Sequence, residues 1–339
     1  MPQEVLCPRS ISLRSQLNKA ARLAEVVIGI CLRNNAKTLP LALASAMTQQ
    51  VVQAGRAIVV ILDDASSDSW QATASNWLGD PRVVVVSAVC GTAARARNAL
   101  LDWVDAELPA ARWVARLDAD DRFADDTSVS ALMRFGDQAD AIFVLGSNHL
   151  AVGGTLQAQS NIAQPSILQD RERLVAFIEA FCLNGQQQEL PSCNLLLRTG
   201  TGIRYPDTRS AEDHWLVAEL LMFRGHRGVV MPYPVYAVYS LGGTATKLNR
   251  RSAQWGLQRQ RLAAAVRCWL HFINRREALL GVGQEGVVWK RGDRVHKRFY
   301  PWAINDSTVD EIRQLTFAES GPVPKADWLQ QTDGSWQCS

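Results

Sequence analysis

The sequence predicts an α/β fold over residues 24–250, a mostly parallel sheet with helices on both faces. Two observations predict it. Short apolar runs rich in β-branched residues recur between Val26 and Leu117. Each run alternates with a helix-like stretch over short connections, which is the pattern of parallel strands joined by crossover helices.

Val26–Leu32 (VVIGICL), Ala57–Leu62 (AIVVIL), Arg82–Val86 (RVVVV) and Trp113–Leu117 (WVARL) read as buried strands. Between them, Thr38–Gln50 reads as a helix on Leu39, Leu41, Leu43, Ala46 and Met47. A second helix runs from Asp68 through Trp77 and Leu78, and a third covers Ala93–Trp103. Further strands are expected at Ala141–Leu145, Ser192–Leu197 and Val229–Met231, with helices at Arg171–Phe181 and Ala211–Phe223. Residues 1–23 carry no strong pattern and read as a leader. Residues 251–280 read as a helical linker of one long amphipathic helix or a helix pair. A domain boundary is placed near residue 275. After Gly281 come two short strands, Gly286–Lys290 and Arg294–Phe299, around a turn at Arg291–Asp293.

Composition narrows the class. The chain is 47% hydrophobic and 20% charged, the balance of a soluble globular protein. Its net charge of +3 is too small to indicate nucleic acid as a partner. Lys247, Arg250, Arg251, Arg259 and Arg261 form a basic stretch that reads as a solvated helix face, with peripheral membrane association as the sharper alternative. The seven cysteines contain no C-x-x-C pair, which fits reduced thiols in a cytoplasmic protein. No apolar run reaches the 18 or so residues that span a bilayer.

Four clusters carry chemistry, and three of them follow an apolar strand, where ligands of open α/β sheets bind. Asp63-Asp64-Ala65-Ser66-Ser67-Asp68 offers carboxylates that can accept a ring N–H from a nucleotide base, although Asp68 or Ser67 alone would serve as a helix N-cap. Gly91-Thr92-Ala93-Ala94-Arg95-Ala96-Arg97-Asn98 opens a helix with a glycine turn and two arginines suited to phosphate oxygens. Asp118-Ala119-Asp120-Asp121 crowds carboxylates that repel unless a cation neutralises them, and carboxylate oxygens suit Mn²⁺ or Mg²⁺. Glu212-Asp213 stands in the first turn of a helix, where acidic residues favour the dipole and where Asp213 can act as a general base.

In this order the clusters resemble family 2 of the GT-A glycosyltransferases, over about two thirds of the chain. The resemblance implies a GT-A fold and inverting transfer of a sugar from a nucleoside-diphosphate sugar to an acceptor hydroxyl, with the acceptor unspecified. It implies that Asn34 (or Asn35), Asp63, Asp64, Arg95, Arg97 and Asp118 hold the donor, that Asp118 and Asp120 hold Mn²⁺ or Mg²⁺, and that Asp213 is the base. Two departures stand out. The glycine-to-Arg97 spacing is one residue longer than usual, leaving Arg95 and Arg97 as alternatives. The Arg-x-His of many relatives is replaced by Tyr239-Ser240-Leu241-Gly242-Gly243-Thr244, which removes a candidate third metal ligand; His214 is a substitute. A sugar nucleotidyltransferase is the enzymatic rival, disfavoured because Arg33–Thr38 contains no glycine. A nucleotide-sugar-binding scaffold that has lost catalysis is the other rival, disfavoured by Asp213.

Residues 281–339 carry a second resemblance. Gly281-Val282-Gly283-Gln284-Glu285-Gly286-Val287-Val288 fits G-x-G-x-x-G-x-V, and Lys297 follows on the next strand, as at the start of a protein-kinase N-lobe. No H-R-D or D-F-G follows before Ser339, and a small accessory hairpin is the plainer reading.

Overall fold

The structure is a computed structural model and describes residues 12–13, 17, 19–152, 155–158, 165–183, 190, 194–224, 227–240, 252–274, 278–282, 284–291, 294–303, 328–330 and 336–338. The chain divides into two compact units, Met1–Arg259 and Gln260–Ser339.

The first unit contains strands β1 (Ser12–Leu13), β2 (Val26–Leu32), β3 (Ala57–Asp64), β4 (Val83–Ala88), β5 (Trp113–Arg116), β6 (Arg122–Phe123), β7 (Phe143–Val152), β8 (Thr155–Ala158), β9 (Leu195–Arg198) and β10 (Gly228–Ser240). Its helices are α1 (Lys19–Arg22), α2 (Leu39–Met47), α3 (Gln50–Gln53), α4 (Trp70–Thr73), α5 (Ser75–Leu78), α6 (Ala93–Glu107), α7 (Ser128–Gly136), α8 (Pro165–Leu168), α9 (Arg171–Leu183) and α10 (Glu212–Arg224). Helix α11 (Ala253–Asn274) begins in this unit and continues into the second. The sheet order is β1-β4-β3-β2-β5-β9-β7-β10-β6, with β8 beside β7.

Strands β4, β3, β2 and β5 run parallel, and so do β7 and β10; β9 is antiparallel to both β5 and β7. The sheet is thus α/β and mostly parallel, as expected, with antiparallel additions at the short strands. Every residue of β3 is buried, which is why its sequence is a continuous apolar run rather than an alternating one. Gly29 admits α6: a Cβ there would stand 2.4 Å from Leu100 Cδ2. Thr92 caps α6 by accepting the Arg95 N–H at 3.2 Å, after Gly91 makes the turn at φ +78°.

Several elements differ from expectation for physical reasons. The Thr38–Gln50 helix breaks into α2 and α3 because Gln49 is wholly buried and needs partners outside the helix. Its amide donates to the carbonyls of Ser45 and Asp125 and accepts the Val129 N–H, and its backbone turns extended at ψ 133°. The Asp68–Leu78 helix reduces to two single turns, whose only fully buried residue is Trp70. The strand expected at Val229–Met231 extends to Ser240, with its register slipping between Val230 and Val235, where Pro232 and Pro234 lack N–H donors.

The second unit holds β11 (Ala278–Val282), β12 (Gly286–Arg291), β13 (Arg294–Phe299), β14 (Trp328–Gln330) and β15 (Trp336–Cys338), an antiparallel sheet in the order β11-β12-β13-β15-β14. The helical reading of Arg251–Leu280 is corrected here. The helix stops at Asn274, and Ala278–Leu280 pair with β12 as strand β11. The part of α11 in this unit supplies core: Trp269 donates its indole N–H to the Tyr300 hydroxyl, and Phe272 lies 4.5 Å from the Trp289 ring.

Candidate active site

The carboxyl ends of β2, β3 and β4 are laced together by their own side chains. Asp64, at the end of β3, accepts the N–H groups of Cys90 (2.5 Å) and Gly91 (3.1 Å) after β4, and meets Arg33 after β2 at 3.3 Å. Asp63 accepts the Ser66 N–H at 2.9 Å. Asn34 donates its N–H to Ser66 Oγ (3.1 Å) and accepts the Ser67 N–H on its side-chain oxygen (2.8 Å). Asp68 accepts the Ala36 N–H at 2.7 Å, so it joins two loops and is not the N-cap of α4. Asn34 and Ala65 both take left-handed backbone, at φ 54° and 50°, where these cross-links can form. The structure therefore places Asn34 and Asp64 as links in a rim, with Asp63 and Asp64 buried within it.

The charged centre lies one strand over, at the end of β5. Arg116 grips Asp118 with two bonds, Nε to Oδ1 at 2.9 Å and Nη2 to Oδ2 at 2.8 Å. Arg97, from the first turns of α6, reaches Asp118 at 3.4 Å and also pairs with Glu212 of α10. Arg116 stands 3.8 Å from Asp213 Oδ2. Two guanidiniums thus tie the D-x-D segment to the Glu-Asp pair, 94 and 95 positions further along the chain (212 − 118 and 213 − 118). Ala211, at φ 60°, turns the chain into α10 so that both acids face this centre. A side chain in that conformation costs about 1–2 kcal/mol.

Electrostatics follow from this geometry. Burial opposes ionisation of Asp118, but Arg116 and Arg97 outweigh it and hold the carboxyl below its ordinary range. Burial likewise opposes ionisation of Asp213; His214, which is itself protonated in the acid range where Asp213 would titrate, joins Arg116 and Arg97 in overcoming it. Asp213 is therefore ionised at neutral pH. Asp120 behaves differently: burial and the neighbouring Asp118 push it up to about 6.

The residues fit a divalent cation in part. Asp118 and Asp120 offer carboxylate oxygens, and among the described residues no other side chain pairs with Asp120. A buried carboxyl raised in this way is a group that a cation would restore to its charged form. Among the described residues, no set of three or more His, Cys, Asp or Glu side chains is gathered to hold a metal. The expected need of Asp118 for a cation is met here by two arginines. The Leu241–Thr244 part of the loop considered for a third ligand lies outside the described residues.

The two candidate arginines separate clearly. Arg97 is mostly buried in the centre, whereas Arg95 turns outward to Asp207, with both side chains half-exposed. Sequence reasoning missed Tyr205, a buried ring 5.4 Å from the Arg97 guanidinium and 5.8 Å from that of Arg116. Asn98 sets its position, donating to the Tyr205 carbonyl and accepting its N–H, each at 2.7 Å. Beneath these groups is a cavity of about 20 Å³, bordered by Gly29, Cys31, Arg97, Arg116, Asp118 and Tyr205. It has room for about one water molecule. Burial pushes the Cys31 thiol up to about 12, so it stays protonated there.

The mostly parallel α/β sheet, with acidic segments at its carboxyl edge, is the arrangement expected of the GT-A fold. The chain belongs to glycosyl transferase family 2, whose family model matches residues 27–199, just over half of its length. Similar solved structures include S. aureus TarS 1-349 in complex with UDP-GlcNAc, at 16% identity and TM-score 0.49, covering 74% of this chain and 73% of that one. The mannosyltransferase PcManGT from Pyrobaculum calidifontis, in complex with GDP-Man and Mn²⁺, is 14% identical at TM-score 0.45, covering 75% and 76%. Glucosyl-3-phosphoglycerate synthase from Mycobacterium tuberculosis is 13% identical at TM-score 0.48, covering 74% and 82%. No curated protein sequence matches the chain.

Proposed function

We propose that this chain transfers a sugar from a nucleoside-diphosphate sugar to an acceptor hydroxyl in one inverting displacement. The observation that carries the reading is the joining of Asp118 to Glu212 and Asp213 through Arg97 and Arg116. It puts an ionised carboxylate beside the segment that would hold the donor's departing group. In this reading Asp213 takes the acceptor proton while the acceptor oxygen bonds to the anomeric carbon. The bond from that carbon to the diphosphate oxygen breaks, and the nucleoside diphosphate leaves with the electron pair. Because Asp213 is a weak base, it takes the proton late, once the new bond has made the hydroxyl acidic. Asp63 and the rim around it face the nucleoside, and Arg97 steadies developing negative charge. Mn²⁺ or Mg²⁺, held by Asp118 and Asp120, would supply neutralising charge to the diphosphate.

The test separates donor binding from chemistry. Asp213→Asn is expected to bind UDP or GDP as the wild type does in titration calorimetry, while losing at least 100-fold in nucleotide release from the sugar donor. A variant with wild-type turnover would remove Asp213 as the base and make Glu212 the next candidate.

A cytoplasmic location is part of this reading; none of the described helices is long and apolar enough to cross a membrane. The second unit supports a second reading, a kinase-like hairpin. Its glycine segment joins the first strand of its sheet to the second, and Lys297 lies on the third, opposite Val288. That is where kinases carry the phosphate-covering loop and the lysine. Loss of ATP-induced thermal stabilisation on Lys297→Ala is the result expected of it; no stabilisation of the wild type by ATP would leave an accessory hairpin.

A further inference from the structure

Helix α6 carries polar side chains at Arg95, Asn98, Asp102 and Asp105. Steps of three, four and three residues put them on one stripe of the helix. The whole stripe grips the segment between β9 and α10. Arg95 pairs with Asp207 at 2.6 Å. The Asn98 amide clamps both backbone groups of Tyr205, each at 2.7 Å. Asp102 and Asp105 hold Arg204 at 2.7 and 2.8 Å, and Asp105 also accepts the Gly200 N–H at 2.9 Å.

Tyr205 is the residue that this clamp delivers to the charged centre. It is 4% exposed, and the guanidinium carbons of Arg97 and Arg116 stand over its ring at 5.4 and 5.8 Å from the centroid. Both distances fall within the reach of about 6 Å over which a ring face attracts a cation. The same two guanidiniums also share Asp118. Each is therefore held at two points, by a shared carboxylate and by a shared ring.

The choice of an aromatic ring has a physical consequence. Two permanently charged guanidiniums brought to one site repel each other. A further carboxylate would hold them, but it would also cancel their charge. The negative face of a neutral ring attracts both and leaves the net charge of the centre unchanged. The arginines thus stay in place and keep their charge for an anionic group that enters.

We infer that Tyr205 is a positioning residue for the transfer: its ring face anchors Arg97 and Arg116, and through them sets Asp118 against Asp213. The inference rests on the transferase reading and adds to it a residue from outside the four sequence clusters.

The test separates the ring's electrostatics from its shape. Tyr205→Phe keeps the ring face. Tyr205→trifluorophenylalanine keeps the ring's shape and weakens its negative face. In the full chain with ¹⁵N-labelled arginine, the Nε–H signal of Arg116, which donates to Asp118 at 2.9 Å, is assigned with Arg116→Lys. Its exchange with solvent is expected to be equally slow in the wild type and Tyr205→Phe, and about 5-fold faster with the fluorinated ring. Equal exchange in all three would overturn the anchoring. In the kinetic arm, nucleotide release is followed from UDP- and GDP-sugars. Tyr205→Phe is expected to keep the wild-type kcat, and the fluorinated ring to lower it by about 5-fold with Tm unchanged. An equal loss in both variants would assign the effect to the hydroxyl and overturn the proposal, as would no loss in either. A wild type that releases nucleotide from no sugar donor would remove the transferase reading and the positioning role with it, while the exchange arm would still report whether the ring holds the arginines.

Discussion

Replacing Arg97 by methionine should weaken the fold through the buried charged centre. Arg97 is 13% exposed and bridges Asp118, 26% exposed, and Glu212, 12% exposed. Methionine keeps much of the side-chain volume while removing the charge. Asp118 retains Arg116, but Glu212 is left buried beside carboxylates. Breaking a buried pair from one side costs about 3–5 kcal/mol. Because one of the two carboxylates keeps a partner, about 3 kcal/mol is expected. For a unit of this size that lowers Tm by about 6–12 °C. Urea titrations at pH 7.5 should show this loss directly. Arg95→Met is the control, since Arg95 and Asp207 are half-exposed and such pairs contribute under about 1 kcal/mol. Equal effects of the two substitutions, or an Arg97→Met loss below about 1 kcal/mol, would refute the assignment of Arg97 to the buried centre.

Asp120→Asn should stabilise the metal-free protein by about 1–2 kcal/mol at pH 7.5 and not at pH 4, measured by thermal shift in chelator. The folded pKa of Asp120 is raised to about 6, so wild-type stability falls as pH climbs from its unfolded value to 6, and asparagine removes that fall. Mn²⁺ should raise the Tm of the wild type and leave that of the variant unchanged. Asn34→Ala should cost about 1–2 kcal/mol, because alanine loses the bond to Ser67 and tolerates φ 54° poorly; Asn34→Gly should recover part of it. Faster amide exchange at Ser67 in the alanine variant would confirm the link, and unchanged exchange would refute it.

The strands were legible because β2, β3 and β4 are covered on both faces and so carry unbroken apolar runs. The Asp63–Asp68 and Asp118–Asp121 clusters were legible because polar residues directly after such runs have no packing reason to be acidic. The choice between Arg95 and Arg97 was readable in helical phase: Leu101 and Val104 follow Arg97 by four and seven residues and are buried. The break at Gln49 was not readable, because its cause is two residues, Asp125 and Val129, that lie far off in the chain. Nor was Tyr205, which sits outside any periodic segment and is placed by the amide of Asn98. The change from helix to strand at Ala278 depends on pairing with β12, a long-range contact that local propensity does not encode.

The rim formed by Asn34, Asp64, Ser66, Ser67 and Asp68 is cross-linked by the protein's own groups, with Asp68 Oδ1 left buried and unpartnered. A ligand entering there meets loops that are already ordered, so little entropy is lost in arranging them. If the proposed donor binds at that edge, it would need no loop to close first, and the shape of the opening would select among donors. Loosening one link, as at Asn34, would thus blur which ligands are accepted as well as weaken how tightly they are held.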